Sequence, residues 1–213
     1  MSLSVAIVDY GSGNLKSVAR AIEYVGGVSY LASTAEDIQR ADRLLLPGVG
    51  AFDDGMKCLQ ECGLADPIRD YAESGRHLLG ICLGMQLLFT QSDEHGHSEG
   101  LNIIAGRVEA IPNAYGNGIR RKTPHIGWAE LLSYQGAEDP GLLMGLSEHA
   151  AAYFVHSYHC LPTASNVLLA ECEYEGLRIC ATVRQGNVYG CQFHPEKSGE
   201  VGLKIVSNFI RLS

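Results

Sequence analysis

The sequence lacks several features that would assign it to a specialised class of protein. It has no apolar run near the ~20 residues that cross a bilayer, and no basic segment leads into an apolar one at its N-terminus. Its only basic cluster is Arg120-Arg121-Lys122, and 24 acidic against 16 basic residues give a formal charge of −8. We therefore expect no membrane span, no secretory signal, and neither nucleic acid nor an anionic membrane as a partner.

The cysteines also lack the spacing of a metal site or a disulfide framework. There are seven, which is an odd number, and no two of them form a Cys-x-x-Cys pair. This usage predicts free thiols in a reducing compartment, so we expect a cytoplasmic protein without a bound metal. A length of 213 residues with 46% hydrophobic and 19% charged residues is typical of one globular domain over residues 1–213.

The first half of the chain alternates strand and helix patterns. Apolar runs at residues 5–8, 28–32, 44–46 and 77–81 predict buried strands, and helical spacing separates them. Ser33 with Glu36 predicts a capping box for one short helix, and residues 83–89 begin another. Alternation of this kind is typical of a parallel sheet with helices on both faces.

The second half predicts antiparallel strands that extend this sheet or pack beside it. Glu175-Gly176 and Gln185-Gly186 are turn signals between neighbouring strands, and residues 201–212 carry the apolar stripe of a closing helix. Residues 115–123 predict an exposed loop. The predicted strands are residues 100–111, 128–132, 151–160, 167–175, 177–184 and 187–193.

The strongest chemical signal is Gly80-Ile81-Cys82-Leu83-Gly84, which follows a predicted strand and precedes a predicted helix. Flanking glycines permit the sharp turn of a nucleophile elbow, here with cysteine in the position that serine often holds. Backbone N–H groups at the start of the helix would favour the thiolate and could stabilise an oxyanion. The alternative is a buried structural cysteine between two packing glycines.

A nucleophilic cysteine needs a base, and Phe193-His194-Pro195-Glu196 offers one after a predicted strand. Pro195 disfavours helix at His194, and residues i and i+2 of extended backbone point to the same side. Glu196 could therefore bond one imidazole nitrogen while the other faces the thiol. The alternative is a surface turn with a solvated histidine and glutamate.

Other glycine and histidine motifs are less specific. Pro47-Gly48-Val49-Gly50 could supply oxyanion N–H groups or form a simple turn after the third strand. Gly11-Ser12-Gly13 fails as a dinucleotide fingerprint because the third glycine position holds Lys16. His95, His97, His156 and His159 lack accompanying ligands at metal spacing. The residues alone predict a thiol enzyme of acyl transfer, and a cysteine peptidase remains possible.

Together these motifs resemble the class I, triad-type glutamine amidotransferases. Residues 80–86 are similar to the nucleophile motif of that family, and residues 190–196 are similar to its second signature. Five further segments, in the same order, resemble the glutaminase subunits of imidazole glycerol phosphate synthase. They are residues 9–15, 47–50, 124–128, 154–158 and 193–198.

The resemblance implies a flavodoxin-like, three-layer α/β fold whose parallel or mixed central sheet is extended by antiparallel strands. It implies that Cys82, His194 and Glu196 hydrolyse glutamine to glutamate and ammonia without a cofactor. Ammonia would pass to a (β/α)8 cyclase subunit of imidazole glycerol phosphate synthase, in a heterodimer. That subunit would make imidazole glycerol phosphate and an aminoimidazole carboxamide ribonucleotide.

The resemblance also assigns roles outside the triad. It implies an oxyanion site at Gly48, Val49, Gly50 and Leu83, in which the Gly48–Val49 peptide must reorient before its N–H group can serve. The implied substrate-binding residues are Gln86, Glu94, Ser157 and Tyr158. The implied interface residues are Asn14, Trp128, Tyr153 and Lys197, and Ile126 and Ala129 depart from the family pattern in the same region.

Three other functions fit part of the pattern. A glutaminase of pyridoxal phosphate synthesis usually carries a Gly-Gly-Glu-Ser stretch, which this sequence lacks. A glutaminase of anthranilate synthesis would serve a chorismate enzyme instead. A non-catalytic flavodoxin-like interaction module would have no need of an intact Cys82, His194 and Glu196.

Overall fold

The computed structural model describes residues 3–114, 120–133 and 141–212. Six α-helices lie in these ranges: α1 (Leu15–Tyr24), α2 (Ala35–Gln39), α3 (Phe52–Glu61), α4 (Ala65–Glu73), α5 (Leu83–Leu87) and α6 (Gly199–Arg211). The strands are β1 (Ser4–Val8), β2 (Val28–Ala32), β3 (Arg43–Leu46), β4 (His77–Ile81), β5 (Phe89–Ser92), β6 (Ser98–Glu99), β7 (Ile104–Ala110), β8 (His125–Glu130), β9 (Leu132–Ser133), β10 (Ala151–His156), β11 (Tyr158–Pro162), β12 (Leu168–Tyr174), β13 (Leu177–Gln185) and β14 (Val188–Cys191).

An eight-stranded mixed sheet forms the centre of the fold, with the order β2-β1-β3-β4-β14-β13-β12-β9. Strands β2, β1, β3, β4 and β14 are parallel, whereas β13, β12 and β9 continue the sheet with antiparallel pairing. Two smaller sheets, β10-β8 and β11-β7-β5-β6, accompany it. The predicted parallel sheet with an antiparallel extension is confirmed.

Helices cover both faces of the sheet. As a result, alternate residues of each central strand pack into two different hydrophobic cores. Val5 and Ile7 pack with the buried faces of α1 and α6, whereas Ala6 and Val8 pack with α2, α3 and α4. This period of two is what strands buried on both faces require. The three-layer prediction is therefore confirmed.

Several sequence predictions differ from the structure in detail. Residues 151–160 form two strands in different sheets, because the chain leaves β10 at His156 and pairs with β7 from Tyr158 onward. The helix predicted from residue 83 ends at Leu87, and β5 begins at Phe89. The capping box is one residue later than predicted: the Thr34 hydroxyl accepts from the Asp37 N–H group.

The pairing of β3, β4 and β14 determines where the site lies. Leu46 pairs with Gly80, and Ile81 pairs with Cys191, so three parallel strands end side by side. Residues 47–50, Cys82 and His194 all follow these ends, which is where open α/β sheets bind ligands. No helix in the described part of the chain is long and apolar enough to span a bilayer. Of the loop predicted at residues 115–123, residues 115–119 lie outside the described residues.

Candidate active site

Cys82 sits in a strained turn between β4 and α5. Its φ of 54° and ψ of −113° lie where residues with a side chain are rarely found, and its N–H group donates to the Cys191 carbonyl at 2.8 Å. Gly84 makes this turn possible, because a Cβ there would lie 1.8 Å from the Leu46 oxygen. The predicted elbow is present, and its helix has only five residues.

His194 and Glu196 are brought together as the sequence predicted. Glu196 Oε1 lies 2.8 Å from Nδ1 of His194, and both side chains are 2% exposed. His194 is extended, with φ −99° and ψ 96°, but a short 3-10 turn at Pro195–Lys197 follows it. The contact therefore forms through this turn rather than through continued extended backbone.

The ionisation of His194 follows from its two neighbours. Burial alone would lower the pKa of His194, but hydrogen bonding to Cys82 and Glu196 outweighs burial and raises that pKa to about 9. A carboxylate only accepts, so Nδ1 carries the proton that Glu196 binds. Nε2 is buried without an oxygen or nitrogen hydrogen-bond partner among the described residues, and His194 lines the same cavity as Cys82. This is the arrangement of a base with an orienting carboxylate.

A cavity of about 390 Å³ opens above the thiol. Most residues that the sequence assigned to the site line it, together with Pro124, Val155 and His156, which the sequence did not assign. The assigned residues in the lining are Val49, Gly50, Cys82, Leu83, Gln86, Glu94, Ser157, Tyr158 and His194. Gly48 lies behind the lining, where a Cβ would be 2.5 Å from the Tyr10 hydroxyl and 2.9 Å from the Leu83 Cβ.

Gln86 belongs to a buried hydrogen-bond network below this cavity. Its Nε2 donates to the Tyr158 carbonyl at 3.2 Å and to Oε1 of Gln192 at 3.0 Å. Nδ1 of His156 lies 2.8 Å from the same Tyr158 carbonyl, and its Nε2 lies 3.1 Å from Nδ1 of His125. Because a carbonyl only accepts, His156 carries its proton on Nδ1 and receives one from His125.

Glu94 places a carboxylate at the cavity wall. Oε2 of Glu94 accepts from the Phe52 N–H group at 2.8 Å, at the start of α3. Burial raises the pKa of Glu94, and this backbone hydrogen bond opposes the increase. A carboxylate held in this way is suited to binding a ligand ammonium group.

The residue 47–50 loop is held by side chains from the first strand–helix connection. Tyr10 donates its hydroxyl hydrogen to the Pro47 carbonyl at 2.9 Å. The Val49 N–H group donates to Ser12 Oγ at 3.2 Å, and that hydroxyl donates to the Val49 carbonyl at 2.7 Å. Both polar groups of Val49 are therefore occupied by one serine.

All four expected interface residues lie outside the cavity lining, and two of them face each other across a strand pair. Trp128 on β8 is 58% exposed and lies opposite Tyr153 on β10, with ring centroids 6.1 Å apart. The Tyr153 carbonyl accepts the His194 N–H group at 2.9 Å, so this exposed face lies next to the triad. Lys197 is exposed beside Glu196, and Asn14 is half-buried at the start of α1.

Sequence reasoning missed Ser12, His125 and Gln192 as members of the site. Gln192, Ser12 and His125 lie within segments that resemble the family, but the sequence assigned no role to any of them. Their contacts depend on strand neighbours that are distant in the chain, which spacing alone does not reveal. No group of three or more metal-ligating side chains occurs among the described residues.

The chain matches the family model of glutamine amidotransferase class-I over residues 6–212. The imidazole glycerol phosphate synthase subunit HisH 1 of Legionella pneumophila (strain Paris) is 49% identical over 98% of this chain and 99% of its own length. The HisH subunit of Geobacillus kaustophilus is 44% identical over 98% of this chain and 97% of its own length.

Solved structures of low sequence identity share the fold. PurLQS from Thermotoga maritima superposes with a TM-score of 0.73 at 19% identity, covering 99% of both chains. A glutamine amidotransferase from Thermotoga maritima gives a TM-score of 0.59 at 14% identity, covering 92% of this chain and 77% of that one.

Proposed function

Since the chain belongs to the class-I glutamine amidotransferase family, we propose that it is the glutaminase subunit of an imidazole glycerol phosphate synthase in histidine biosynthesis. The observation that carries the proposal is that Cys82 and His194 line one cavity while Glu196 binds the Nδ1 atom of His194. The full-length relatives that bear the name of this subunit support the choice among glutaminases. The proposed compartment is the cytoplasm, and the unit that acts is one domain over residues 1–213.

Acylation begins with proton transfer from the Cys82 thiol to Nε2 of His194. The sulfur attacks the side-chain carbonyl carbon of glutamine and forms a tetrahedral oxyanion. His194 then donates its proton to the leaving nitrogen, so ammonia departs and a γ-glutamyl thioester remains on Cys82. Glu196 accepts the Nδ1 hydrogen throughout, which fixes the tautomer and stabilises the imidazolium.

Deacylation reverses these roles. His194 takes a proton from water, the resulting hydroxide attacks the thioester carbonyl, and the C–S bond breaks. Cys82 recovers its proton from His194, and glutamate leaves.

Substrate binding follows from the polar groups at the cavity wall. Glu94 would bind the α-ammonium of glutamine. Both N–H groups of the Gln86 amide are already used by Tyr158 and Gln192, so this side chain can offer a ligand only its oxygen. The backbone at Ser157 and Tyr158 would contact the remainder of the substrate.

One donor of the proposed oxyanion site already has another hydrogen-bond partner. The N–H groups of Leu83, Val49 and Gly50 are the proposed donors, but the Val49 N–H group is bonded to Ser12. Glycines on both sides of Val49 allow the 48–49 peptide to turn. An absent oxyanion donor lowers turnover by about 10²–10³. Its absence would suppress wasteful hydrolysis of glutamine until the partner subunit and its ligand are bound.

The proposed partner is the (β/α)8 cyclase subunit, which would receive ammonia and form a heterodimer with this chain. Trp128, Tyr153, Lys197 and Asn14 would contact it. The exposed face that carries Trp128 lies beside the triad, which supports a partner seated there.

Glutamate release from glutamine tests the function. Three reactions contain this protein alone, with the cyclase subunit, and with that subunit plus its nucleotide ligand. We expect near silence alone and strong stimulation in the third reaction, with no release by Cys82→Ala in any. High activity alone would overturn the gating, and silence in all three would overturn the partner.

A further inference from the structure

Gln192 lies between the nucleophile and the floor of the cavity. Its side chain is completely buried, with 0% exposure, directly after β14. Nε2 of Gln192 is 3.8 Å from Sγ of Cys82, and Oε1 accepts from Nε2 of Gln86. A buried primary amide therefore touches the reacting atom of the proposed mechanism.

The orientation of this amide is set by the Tyr158 carbonyl. That oxygen can only accept, so the Gln86 atom facing it must be the NH₂ group. The same NH₂ group lies 3.0 Å from one atom of the Gln192 amide, which must then be the oxygen. The remaining atom, next to the sulfur, is the Gln192 NH₂ group. The donor direction towards Cys82 thus follows from one backbone carbonyl.

The backbone holds Gln192 in register with the nucleophile. The Gln192 N–H group donates to the Ala181 carbonyl at 2.9 Å, which extends the pairing of β13 with β14. The preceding carbonyl, that of Cys191, accepts the Cys82 N–H group at 2.8 Å. Two parallel strands therefore fix the distance between the amide and the sulfur before any substrate binds.

We propose that Gln192 is a further catalytic residue, whose side-chain N–H group donates to the Cys82 thiolate. The inference rests on the proposed glutaminase function. When the thiol proton moves to Nε2 of His194, the sulfur becomes an anion in a buried site, where an N–H donor stabilises it. The same donor stabilises the sulfur when it leaves as a thiolate on hydrolysis of the thioester. No bond to Gln192 forms or breaks.

The pH dependence of alkylation at Cys82 separates this role from simple packing. Wild-type protein and Gln192→Met are treated with iodoacetamide across a pH series, and modification of the Cys82 peptide is followed by mass spectrometry. Methionine keeps the approximate volume but removes the donor. We expect the midpoint of the profile to rise by about one pH unit, a tenfold loss of thiolate below that midpoint.

Thr182→Val is the matched control. Thr182 is also completely buried, its register partner is Cys191, and its hydroxyl has no hydrogen bond within the described residues. Replacing it is a polar-to-apolar change beside the same strand, at a hydroxyl that forms no hydrogen bond with the sulfur. We expect its alkylation profile to match that of the wild type.

A second variant keeps the test decisive if Gln192→Met folds poorly. Gln86→Met removes the donor that orients the Gln192 oxygen, so the Gln192 amide can rotate and place its oxygen next to the sulfur. The midpoint of the alkylation profile should therefore rise, but by less than in Gln192→Met. Unchanged profiles in both variants, or an equal rise in Thr182→Val, would overturn the role of Gln192. Failure of the proposed function looks different: iodoacetamide would modify wild-type Cys82, but excess glutamine would not protect it, and this overturns the glutaminase function together with the role of Gln192 in it.

Discussion

At position 12, one serine hydroxyl accepts from the Val49 N–H group and donates to the Val49 carbonyl. A hydroxyl has one hydrogen and two lone pairs, so it can make both bonds at once. In the proposed mechanism, this bond keeps the Val49 N–H group from serving a developing oxyanion. The resting state of the site depends on this side chain.

Replacing Ser12 by alanine should therefore raise basal glutaminase activity. The two lost hydrogen bonds are worth about 1 kcal/mol each, so we expect a gain of up to about thirtyfold for the protein without its partner. The measurement is glutamate release at saturating glutamine, with Ser29→Ala on β2 as the control. Unchanged or lower basal activity in Ser12→Ala would contradict this role of Ser12.

Single residues differ in how far the sequence reveals them. Cys82, His194 and Glu196 are predictable because their neighbours specify a turn, a strand end and a fixed spacing. Ser12 and Gln192 are not, because their partners are distant in the chain and reach them through strand pairing. A side chain whose role depends on one tertiary contact leaves no periodic pattern.

At the scale of elements, the β4–α5 connection depends on the absence of a side chain at residue 84. Strand β3 passes so close that the Leu46 carbonyl occupies the space a Cβ would need. Backbone on both sides of this contact belongs to the central fold and cannot move independently. The elbow is therefore a property of two packed elements.

Gly84→Ala should displace α5 from β3. We expect a loss of about 3 kcal/mol in the free energy of unfolding and loss of glutaminase activity, since the displaced turn carries Cys82. Denaturant unfolding measures the first effect. Gly55→Ala in α3 is the control, because its Cβ meets only the ends of the Leu83 and Leu87 side chains, at 3.1 and 3.4 Å. An equal stability in Gly84→Ala would contradict the packing.

The β8–β10 pair contains a buried histidine that resists protonation. His125 is stacked between Phe154 and Tyr174, with ring centroids 5.0 and 4.0 Å away. Burial lowers the pKa of His125 to about 4, although the nearby Glu175 carboxylate acts in the opposite direction. A lowered folded-state pKa stabilises the protein above the unfolded value of about 6.5, and this contribution is lost as pH falls towards 4.

His125→Phe should make stability less dependent on pH in that window. The fall in unfolding free energy between pH 6.5 and 4 should become shallower, while at pH 7 the variant loses about 1–2 kcal/mol because Nε2 of His156 is left unpaired. Urea unfolding at several pH values tests this. The exposed His149→Gln should keep the wild-type slope, and an identical slope in His125→Phe would contradict the assignment.

Elements were predictable where periodicity is strong. The strands of the parallel half and helix α6 follow from continuous apolar runs and a helical stripe. The break at Ser157 was not predictable, because residues 151–160 contain no glycine or proline that would interrupt a single strand. Only pairing with two different partners, β8 and β7, divides them.

At the scale of the whole molecule, the mixed sheet brings three loops to one edge and leaves an exposed face beside them. The period-two alternation of β8 directs Ile126 and Trp128 outwards, each 58% exposed, while His125 is buried. Sequence reasoning could anticipate the α/β layers and the site edge. It could not define this face, because exposure depends on how the small sheets pack against the large one.

Trp128→Ala should weaken the proposed heterodimer without disabling the nucleophile. A central aromatic anchor is worth about 2 kcal/mol or more, so we expect binding to the cyclase subunit to weaken about thirtyfold. Isothermal titration calorimetry measures the affinity of the two subunits, and the rate of Cys82 alkylation should be unchanged. Tyr24→Ala, at the other end of α1 from Asn14 and 78% exposed, is the control. Equal affinities for the two variants would contradict the proposed face.

The central claim is that glutamine acylates Cys82, and a glutamine analogue with a diazoketone in place of its side-chain amide tests it most directly. Peptide mapping after labelling identifies the modified residue. We predict label on Cys82 alone among the seven cysteines, protection by excess glutamine, and slower labelling in Glu94→Gln. Label on another cysteine, or none at Cys82 under conditions in which iodoacetamide modifies it, would contradict the claim.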